Sequence, residues 1–457
     1  MLPTDNEFRM EDKGNVERLN ETAIHDWYRM VFAYSDKLVS SLFKEFDADQ
    51  GDLVLDPFNG TGTTTLTAKR HGIDSIGVDA SPIAVLAGRC KTTWDIDLGT
   101  FRRRRSELLT TIEPVFERIS ADGNVTLSSF GDDPAEAVDI GRYDFTEPKK
   151  IPKGWLSEKP LKKMLVLRHH IEEFPEDPVT DLFQLAMCAV LPEDVANVGF
   201  GPEAYKTKKQ EDVDVYGLFS TKLEKVETDL RRAKRTVERG EIQPGTVETL
   251  IGDARDVDTV LRNESELLKG NEHAGTVDYV ITSPPYPAEH DYTRNQRLEL
   301  VWMGELEDNE DLQQIKKSNI RSNTKNIYVD DDDGERWNIR ENDRIDGIVS
   351  EMERIIEEEN VEHGFGQYYP RVVEEYFAGM QRHLEAVHDL MAPGGRAAYI
   401  VADSGSYWQV DIETGSILAE LAFERVGFTD SELRLWRNLR ATTGRKDRRE
   451  EILVLEK

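Results

Sequence analysis

The pattern of apolar and polar positions changes period several times along this chain of 457 residues, and each change marks an element. Short apolar runs, Leu53-Val54-Leu55, Ser75-Ile76-Gly77-Val78 and Tyr279-Val280-Ile281, lack polar alternation, as strands covered on both faces do. Arg396 to Ser404 reads as another buried strand. Val373, Tyr376, Phe377, Met380, Leu384, Val387 and Met391 instead recur at helical spacing as a stripe of core, and Pro393-Gly394-Gly395 is placed to end that helix. Strands and helices alternating in this way predict an α/β sheet. The closing segments, Leu433 to Arg437 and Glu450 to Leu455, predict an antiparallel hairpin at its edge.

Two long stretches interrupt the alternation. Residues 96–245 are mainly helical in pattern, as in Leu161 to Ile171 and the amphipathic segment Val215 to Arg239, with a loop-like Gly199-Phe200-Gly201-Pro202-Glu203-Ala204-Tyr205-Lys206 between these. Residues 305–371 are polar and charged. They hold an acidic turn, Asp330-Asp331-Asp332-Asp333-Gly334, whose spacing does not match a calcium loop, and an aromatic-glycine segment, Gly364 to Pro370. The chain thus divides into 1–95, 96–245, 246–304, 305–371 and 372–457, with the sheet in the first, third and fifth parts.

The chemistry concentrates where two strands end. After Leu55 the chain reads Asp56-Pro57-Phe58-Asn59-Gly60-Thr61-Gly62-Thr63-Thr64-Thr65 and enters a helix start at Leu66-Thr67-Ala68-Lys69-Arg70. Glycines let backbone approach a ligand closely, and the N–H groups of a helix start face it. The next strand ends at Asp79, where a doubly wound sheet puts a carboxylate within reach of ribose hydroxyls. A dinucleotide-binding dehydrogenase shares that outline. The third glycine of its fingerprint is replaced by Thr65, however, and Asp56-Pro57 suits an amino-acid ammonium better than a pyrophosphate. S-adenosylmethionine presents an amino acid, a ribose and an adenine together, and is the cofactor expected.

After Ile281 stands Thr282-Ser283-Pro284-Pro285-Tyr286. Two prolines remove two N–H donors and leave carbonyls to accept from another group, such as the exocyclic amine of a nucleobase. Ser283 adds a hydroxyl acceptor, and Tyr286 a flat ring on which an extruded base could stack.

Together these motifs resemble the S-adenosylmethionine-dependent amino-methyltransferases of DNA, and Ser-Pro-Pro-Tyr is similar to their N4-cytosine branch. The likeness covers roughly residues 20–95, 246–304 and 372–457. It implies a Rossmann-like methyltransferase sheet with a C-terminal antiparallel hairpin and a mainly helical insertion. By the resemblance, Asp56, Phe58, Asn59, Gly60, Thr61, Gly62 and Thr63 would hold the methionine part of the cofactor. Asp79 with Ala80 would hold its ribose, and Asp253 with Ala254 its adenine amino group. Ser283, Pro284, Pro285 and Tyr286 would hold and activate the N4 amine of a flipped cytosine. Phe32 to Val39 resembles the helix entrance that precedes the glycine loop and helps close the cofactor pocket.

Double-stranded DNA is then the expected partner, with 96–245 a candidate for target recognition and 305–371 for DNA contact. The segment at 364–370 would move over the flipped base or simply pack, and His290 would touch the target strand or sit in a surface loop. The cofactor loop precedes Ser-Pro-Pro-Tyr with a long insertion between, which departs from the common order of the N4-cytosine branch. Two other readings stay open. One is an N6-adenine or RNA amino acceptor, because related enzymes carry Asp-Pro-Pro-Tyr or Asn-Pro-Pro-Tyr. The other is a non-catalytic cofactor- or DNA-binding subunit of a defence system. No nuclease signature is evident, so a cleaving partner would be a separate restriction endonuclease.

Charge complicates the picture, since the formal net is -31 and DNA is itself a polyanion. Acidic surfaces with only 38% hydrophobic residues suit adaptation to high salt, which screens repulsion. Basic clusters persist at Arg102–Arg105, Lys206–Lys209, Arg231–Arg235 and Arg445–Arg449, each a solvated helix face or together a discontinuous groove. Cys90 and Cys188 suggest buried thiols rather than a disulfide framework or metal cluster, and neither follows a proline, so the covalent route of cytosine-C5 methyltransferases has no nucleophile here. Without a membrane-length apolar run or a signal-like N-terminus, a cytoplasmic protein is expected.

Overall fold

The structure, a computed structural model, describes residues 23–29, 34–121, 139–199, 204–269, 275–287, 290–327, 336–361, 363–405, 407–439 and 448–457. The strands are β1 (Leu53–Asp56), β2 (Asp74–Asp79), β3 (Val198–Gly199), β4 (Tyr205–Lys206), β5 (Val247–Ile251), β6 (Val277–Thr282), β7 (Met391–Ala402), β8 (Asp430–Leu439) and β9 (Arg448–Glu456). All but β3 and β4 form one sheet in the order β5-β2-β1-β6-β7-β9-β8. The first five in that order run parallel, whereas β9 is antiparallel to both β7 and β8. This is a Rossmann-like methyltransferase sheet closed by a C-terminal antiparallel hairpin. From β1 the chain builds outward through β2 to β5, then returns to the other side of β1 for β6 and β7. Such a reversal opens a crevice beyond the carboxyl ends of the two strands at which it occurs, here β1 and β6.

Alternation along the strands sends side chains to two cores. Val54, Ile281 and Ile400 face α1 (Asp36–Phe46) and α2 (Thr63–His71). Leu55, Val280 and Tyr399 face the other side. Between α2 and β5 come α3 (Pro82–Thr92), α4 (Leu98–Ala121), α5 (Glu158–Glu172), α6 (Pro178–Val190) and α7 (Val215–Glu238). Helices α4 to α7 share a third core with α3, so the long insertion is helical and docked on the sheet's own helix layer. The remaining helices are α8 (Val257–Glu264), α9 (Tyr292–Asn295), α10 (Arg297–Met303), α11 (Asn309–Lys317), α12 (Asp343–Glu358), α13 (Tyr369–Leu390) and α14 (Thr414–Leu421).

Capping explains several boundaries. Ser35 accepts the Lys37 N–H at 3.1 Å to open α1, and α2 ends at Gly72, whose φ of 79° suits glycine. One boundary differs from the sequence expectation. Helix α13 ends at Leu390 because Met391 is already extended, and Pro393-Gly394-Gly395 lies inside β7. There the register jumps from Val277↔Met391 to Tyr279↔Arg396, and Gly394, at φ 77°, donates its N–H to the Lys457 carbonyl at 3.0 Å. The triplet is an outward bulge on the strand rather than a stop. The acidic turn at 330–334, Phe32 and Ala33, and Arg445 to Asp447 lie outside the described residues. Among the described residues no helix is long and apolar enough to cross a membrane.

Candidate active site

Strands β1 and β6 pair through Val54↔Tyr279 and Leu55↔Val280, so their next residues leave the sheet side by side. Thr282 Oγ1 donates to Asp56 Oδ1 at 2.6 Å, directly joining the two motifs. Asp56 is fully buried and also accepts the Tyr34 hydroxyl at 2.7 Å and the Phe58 N–H at 3.1 Å. Thr64 Oγ1 lies 2.5 Å from the same Tyr34 hydroxyl and donates to the Ile281 carbonyl at 3.2 Å. Burial raises the Asp56 carboxyl, while its hydrogen-bond donors pull it back. In this structure Asp56 lies beneath the site and ties the two strand ends and the entry to α1 together.

A cleft of about 400 Å³ opens over this strut. The glycine loop contributes Pro57, Phe58, Asn59, Gly60, Thr61 and Thr63, β2 contributes Asp79 with Ala80 and Ser81, and Ser283, Pro284, Pro285 and Tyr286 form the opposite wall. Asp79 holds the loop, since its carboxylate accepts the N–H of Gly60 and of Ser81, both at 2.8 Å. Burial pushes its pKa up to about 6 despite those donors. Gly60 has φ 50°, and Gly62, at φ 86°, starts α2 with no side-chain cap, leaving first-turn N–H groups beside the cleft. Gly62 itself is not on the wall. A Cβ there would fall 3.2 Å from Gly88 Cα, so the glycine permits close packing of α2 against α3. Asn59 turns its amide inward, where Oδ1 accepts the Thr65 hydroxyl at 3.0 Å. A Cβ at Gly77 would fall 2.3 Å from Asn59 Cγ.

Of the pair expected near an adenine, only Ala254 lines the cleft. The Asp253 carboxylate accepts the Arg255 backbone N–H at 2.9 Å and its guanidinium at 2.5 Å. Sequence reasoning did not find His383, whose Nδ1 donates to the Ala254 carbonyl at 2.8 Å and whose Nε2 then accepts the Tyr399 hydroxyl at 3.0 Å. Burial lowers its pKa to about 4, and the neutral ring packs tilted against Phe58, with centroids 4.8 Å apart, at one end of the cleft.

At the other end, Ser283 donates to the Ile400 carbonyl at 3.1 Å, which leaves its oxygen lone pairs as acceptors. Tyr286 is half-buried, and its hydroxyl donates to Glu450 Oε1 at 2.8 Å, while Glu450 also pairs with Arg437. Burial and the Glu450 charge push the Tyr286 phenol well above its ordinary range, so it stays neutral. Arg437, Glu450, Tyr292 and Gln296 all line the cleft and carried no signal readable in advance. Gln296 accepts the Ser81 hydroxyl at 2.7 Å, tying the two walls. From the polar insertion come Ile315, Ser318, Asn319 and Ile320, held by the buried ion pair of Lys316 and Asp291 at 3.1 Å. His290 also reaches the cleft. The segment at 364–370 packs, with Trp408 Nε1 donating to the Gly366 carbonyl at 3.1 Å and Tyr369 4.8 Å from the Tyr407 ring.

The basic clusters are largely engaged within the protein. Arg102 and Arg105 both reach Glu227, Arg104 reaches Asp177, Lys209 reaches Glu211, and Arg448 and Arg449 reach Asp411 and Asp403. Both cysteines are buried and free.

With this geometry established, the chain can be set beside known proteins. A family model for N6/N4 methylases, described as DNA methylase, matches residues 28–87. The chain is 28% identical over 308 residues to the type II methyltransferase M.BsoBI of Geobacillus stearothermophilus, covering 62% of this chain and 53% of that one. It is 25% identical over 287 residues to the type II methyltransferase M.MvaI of Kocuria varians, covering 60% and 56%. A shorter likeness, 36% over 64 residues, links it to the type II methyltransferase M.MjaII of Methanocaldococcus jannaschii, 13% and 12% of the two chains. The chain thus spans about half the length of the first two relatives.

Proposed function

From its likeness to the N6/N4 amino-methyltransferases of DNA we propose that this chain transfers a methyl group from S-adenosylmethionine to the exocyclic N4 amine of a cytosine flipped out of duplex DNA. The observation that carries the reading is the shared cleft: Thr282 is bonded to Asp56, and the loop at 57–61 faces Ser283 to Tyr286 across one cavity.

The residues fit the cofactor. Asp79 keeps lone pairs for ribose hydroxyls, the uncapped start of α2 offers N–H groups to a carboxylate, and Phe58 and Ala254 supply an apolar wall. When bound, S-adenosylmethionine supplies an electrophilic sulfonium methyl. The protein's part is to ready the acceptor. The amine lone pair of cytosine is conjugated into the ring, and acceptors at its N–H groups draw the nitrogen towards tetrahedral geometry. That role is given to Ser283 Oγ and the Pro284 carbonyl, both from residues of the cleft wall, with Tyr286 as the stacking surface for the extruded base. Proximity and electrostatics then carry the displacement, and the proton released passes to Ser283 or water without a strong base. We further propose that residues 96–245 read the target, that 305–371 contact DNA, and that a separate restriction endonuclease completes the system.

Ser283→Ala tests the assignment. Binding of S-adenosylmethionine, followed by calorimetry, stays at the wild-type level, and transfer to duplex DNA falls by about 100-fold or more, the scale of losing a preorganised polar contact to the reacting group. Undiminished transfer removes Ser283 from the mechanism.

A further inference from the structure

Helix α7 carries a second pocket, of about 940 Å³, lined by Arg231, Arg232, Arg235 and Arg239 together with Arg70 from the last turn of α2. Five guanidinium groups share it with the carboxylates of Asp229 and Glu241. Asp229 is turned inward, accepting Trp27 Nε1 at 3.0 Å and the Ile24 N–H at 3.3 Å. Glu241 stands 3.6 Å from Arg239. In a chain of net charge -31, whose other basic clusters are largely paired, the excess of cations here is unusual.

Two details show that the pocket is not internally compensated. Arg232 and Arg235 are exposed and meet no carboxylate among the described residues. Arg231 reaches Glu227 with one nitrogen, yet its Nε is buried with no partner. Arg70, half-buried, gives one N–H to the Ala23 carbonyl at 2.8 Å, and burial depresses its pKa although the Asp36 and Asp229 carboxylates pull it back up. Like charges held this close favour an anion between them.

Dimensions select the anion. Arg231 to Arg239 along one helix face extends about 12 Å, whereas duplex DNA presents a charge for about every 1.7 Å of axis. A stripe of that length spans several phosphates, and guanidinium forks match phosphate oxygens in pairs. Helix α2 starts at the reaction cleft and Arg70 lies about 10 Å further along it, so the pocket sits at the opposite end of the sheet from Ser283. We propose that this pocket is a second binding site for the phosphodiester backbone of duplex DNA, separate from the cleft. Its commitment to DNA rests on the function proposed above.

The test reads binding rather than transfer. Arg232→Ala/Arg235→Ala is compared with wild type for affinity to a duplex lacking any methylatable target, at a series of salt concentrations, with Arg354→Ala as the control because Arg354 is exposed and paired with Glu351 and Glu358. The double variant binds more weakly, and its salt slope is shallower by about 2, so between about 50 and about 200 mM salt it loses about tenfold less affinity than wild type does. The thermal transition and S-adenosylmethionine binding stay unchanged, which shows that the variant is folded. Unchanged duplex affinity and slope overturn the proposal. So does loss of inorganic tripolyphosphate binding with duplex binding intact, which assigns the pocket to free phosphate. Duplex binding lost in the variant while wild type methylates nothing leaves this site standing and ends the methyltransferase reading; the converse separates them the other way.

Discussion

Glu450 touches no reacting atom in the proposed scheme, yet it decides where the Tyr286 ring lies. Its carboxylate is 5% exposed, accepts the Tyr286 hydroxyl at 2.8 Å and balances Arg437. Glu450→Ala leaves a half-buried phenol without an acceptor, which costs about 1–3 kcal/mol. The ring can recover part of that only by swinging away from the cleft wall. If the whole cost falls on the arrangement that stacks the base, kcat/KM drops by about 5- to 150-fold. Glu450→Gln keeps an oxygen in the same place and returns most of the activity. Calorimetry shows S-adenosylmethionine binding unaltered in both variants, since Glu450 lies at the target end. Methyl transfer to a duplex under single-turnover conditions is the assay. Wild-type rates in Glu450→Ala, or equal losses in the two variants, refute the role given to this carboxylate.

Three further outcomes follow from particular groups. Asp79, pushed up to about 6 by burial, must be ionised to accept ribose hydroxyls, so S-adenosylmethionine affinity is flat above about pH 6 and weakens by up to about tenfold per unit below it. Asp79→Asn binds weakly at every pH, and a pH-independent wild-type affinity contradicts the assignment. Glu299 is buried against the Tyr28 hydroxyl at 2.8 Å, and burial raises its pKa from 4.5 to about 7. Folding thus favours the protonated acid, and wild type loses stability as pH rises through that window. Lys91, which donates to the Tyr28 carbonyl at 3.0 Å and whose pKa burial lowers from 10.5 to about 7, acts above it. Glu299→Gln therefore gains on wild type in thermal midpoint between about pH 4.5 and about pH 7; parallel curves would show that this carboxyl is not the source. Gly77→Ala places a Cβ 2.3 Å from Asn59 Cγ, and Asn59 is held by Thr65. Denaturant unfolding should show a loss of about 1–3 kcal/mol, and an unchanged midpoint would mean that Asn59 is free to move.

The sheet was legible because its strands are covered on both faces, so Leu53 to Leu55 and Tyr279 to Ile281 read as apolar runs from composition alone. The C-terminal hairpin was visible for a similar reason, since Ile452, Leu453 and Leu455 are buried. The Pro393-Gly394-Gly395 stop was misread because a bulge uses the same residues as a helix terminus, and only the pairing with β6 distinguishes the two. Within the cleft, residues next to the two motifs could be named, but those arriving from elsewhere could not. Glu450, Gln296 and His383 meet the site through contacts with partners more than 100 residues away in sequence: Glu450 with Tyr286, Gln296 with Ser81, and His383 with Ala254. Asp56 and Asp253 show what a sequence hides about internal partners. A carboxylate beside a motif suggests a ligand, but Thr282 and Tyr34 occupy the first and Arg255 the second.

The central claim is that the cleft shared by the glycine loop and Ser283 to Tyr286 methylates cytosine amines in DNA. Base-resolved sequencing of genomic DNA from a methylation-free host expressing this chain tests it most directly. N4-methylcytosine at one short recurring sequence, absent with Ser283→Ala, is the predicted result. N6-methyladenine in its place contradicts the choice of base, and DNA without any modified base, from cells in which the protein is folded and binds S-adenosylmethionine, contradicts the function itself.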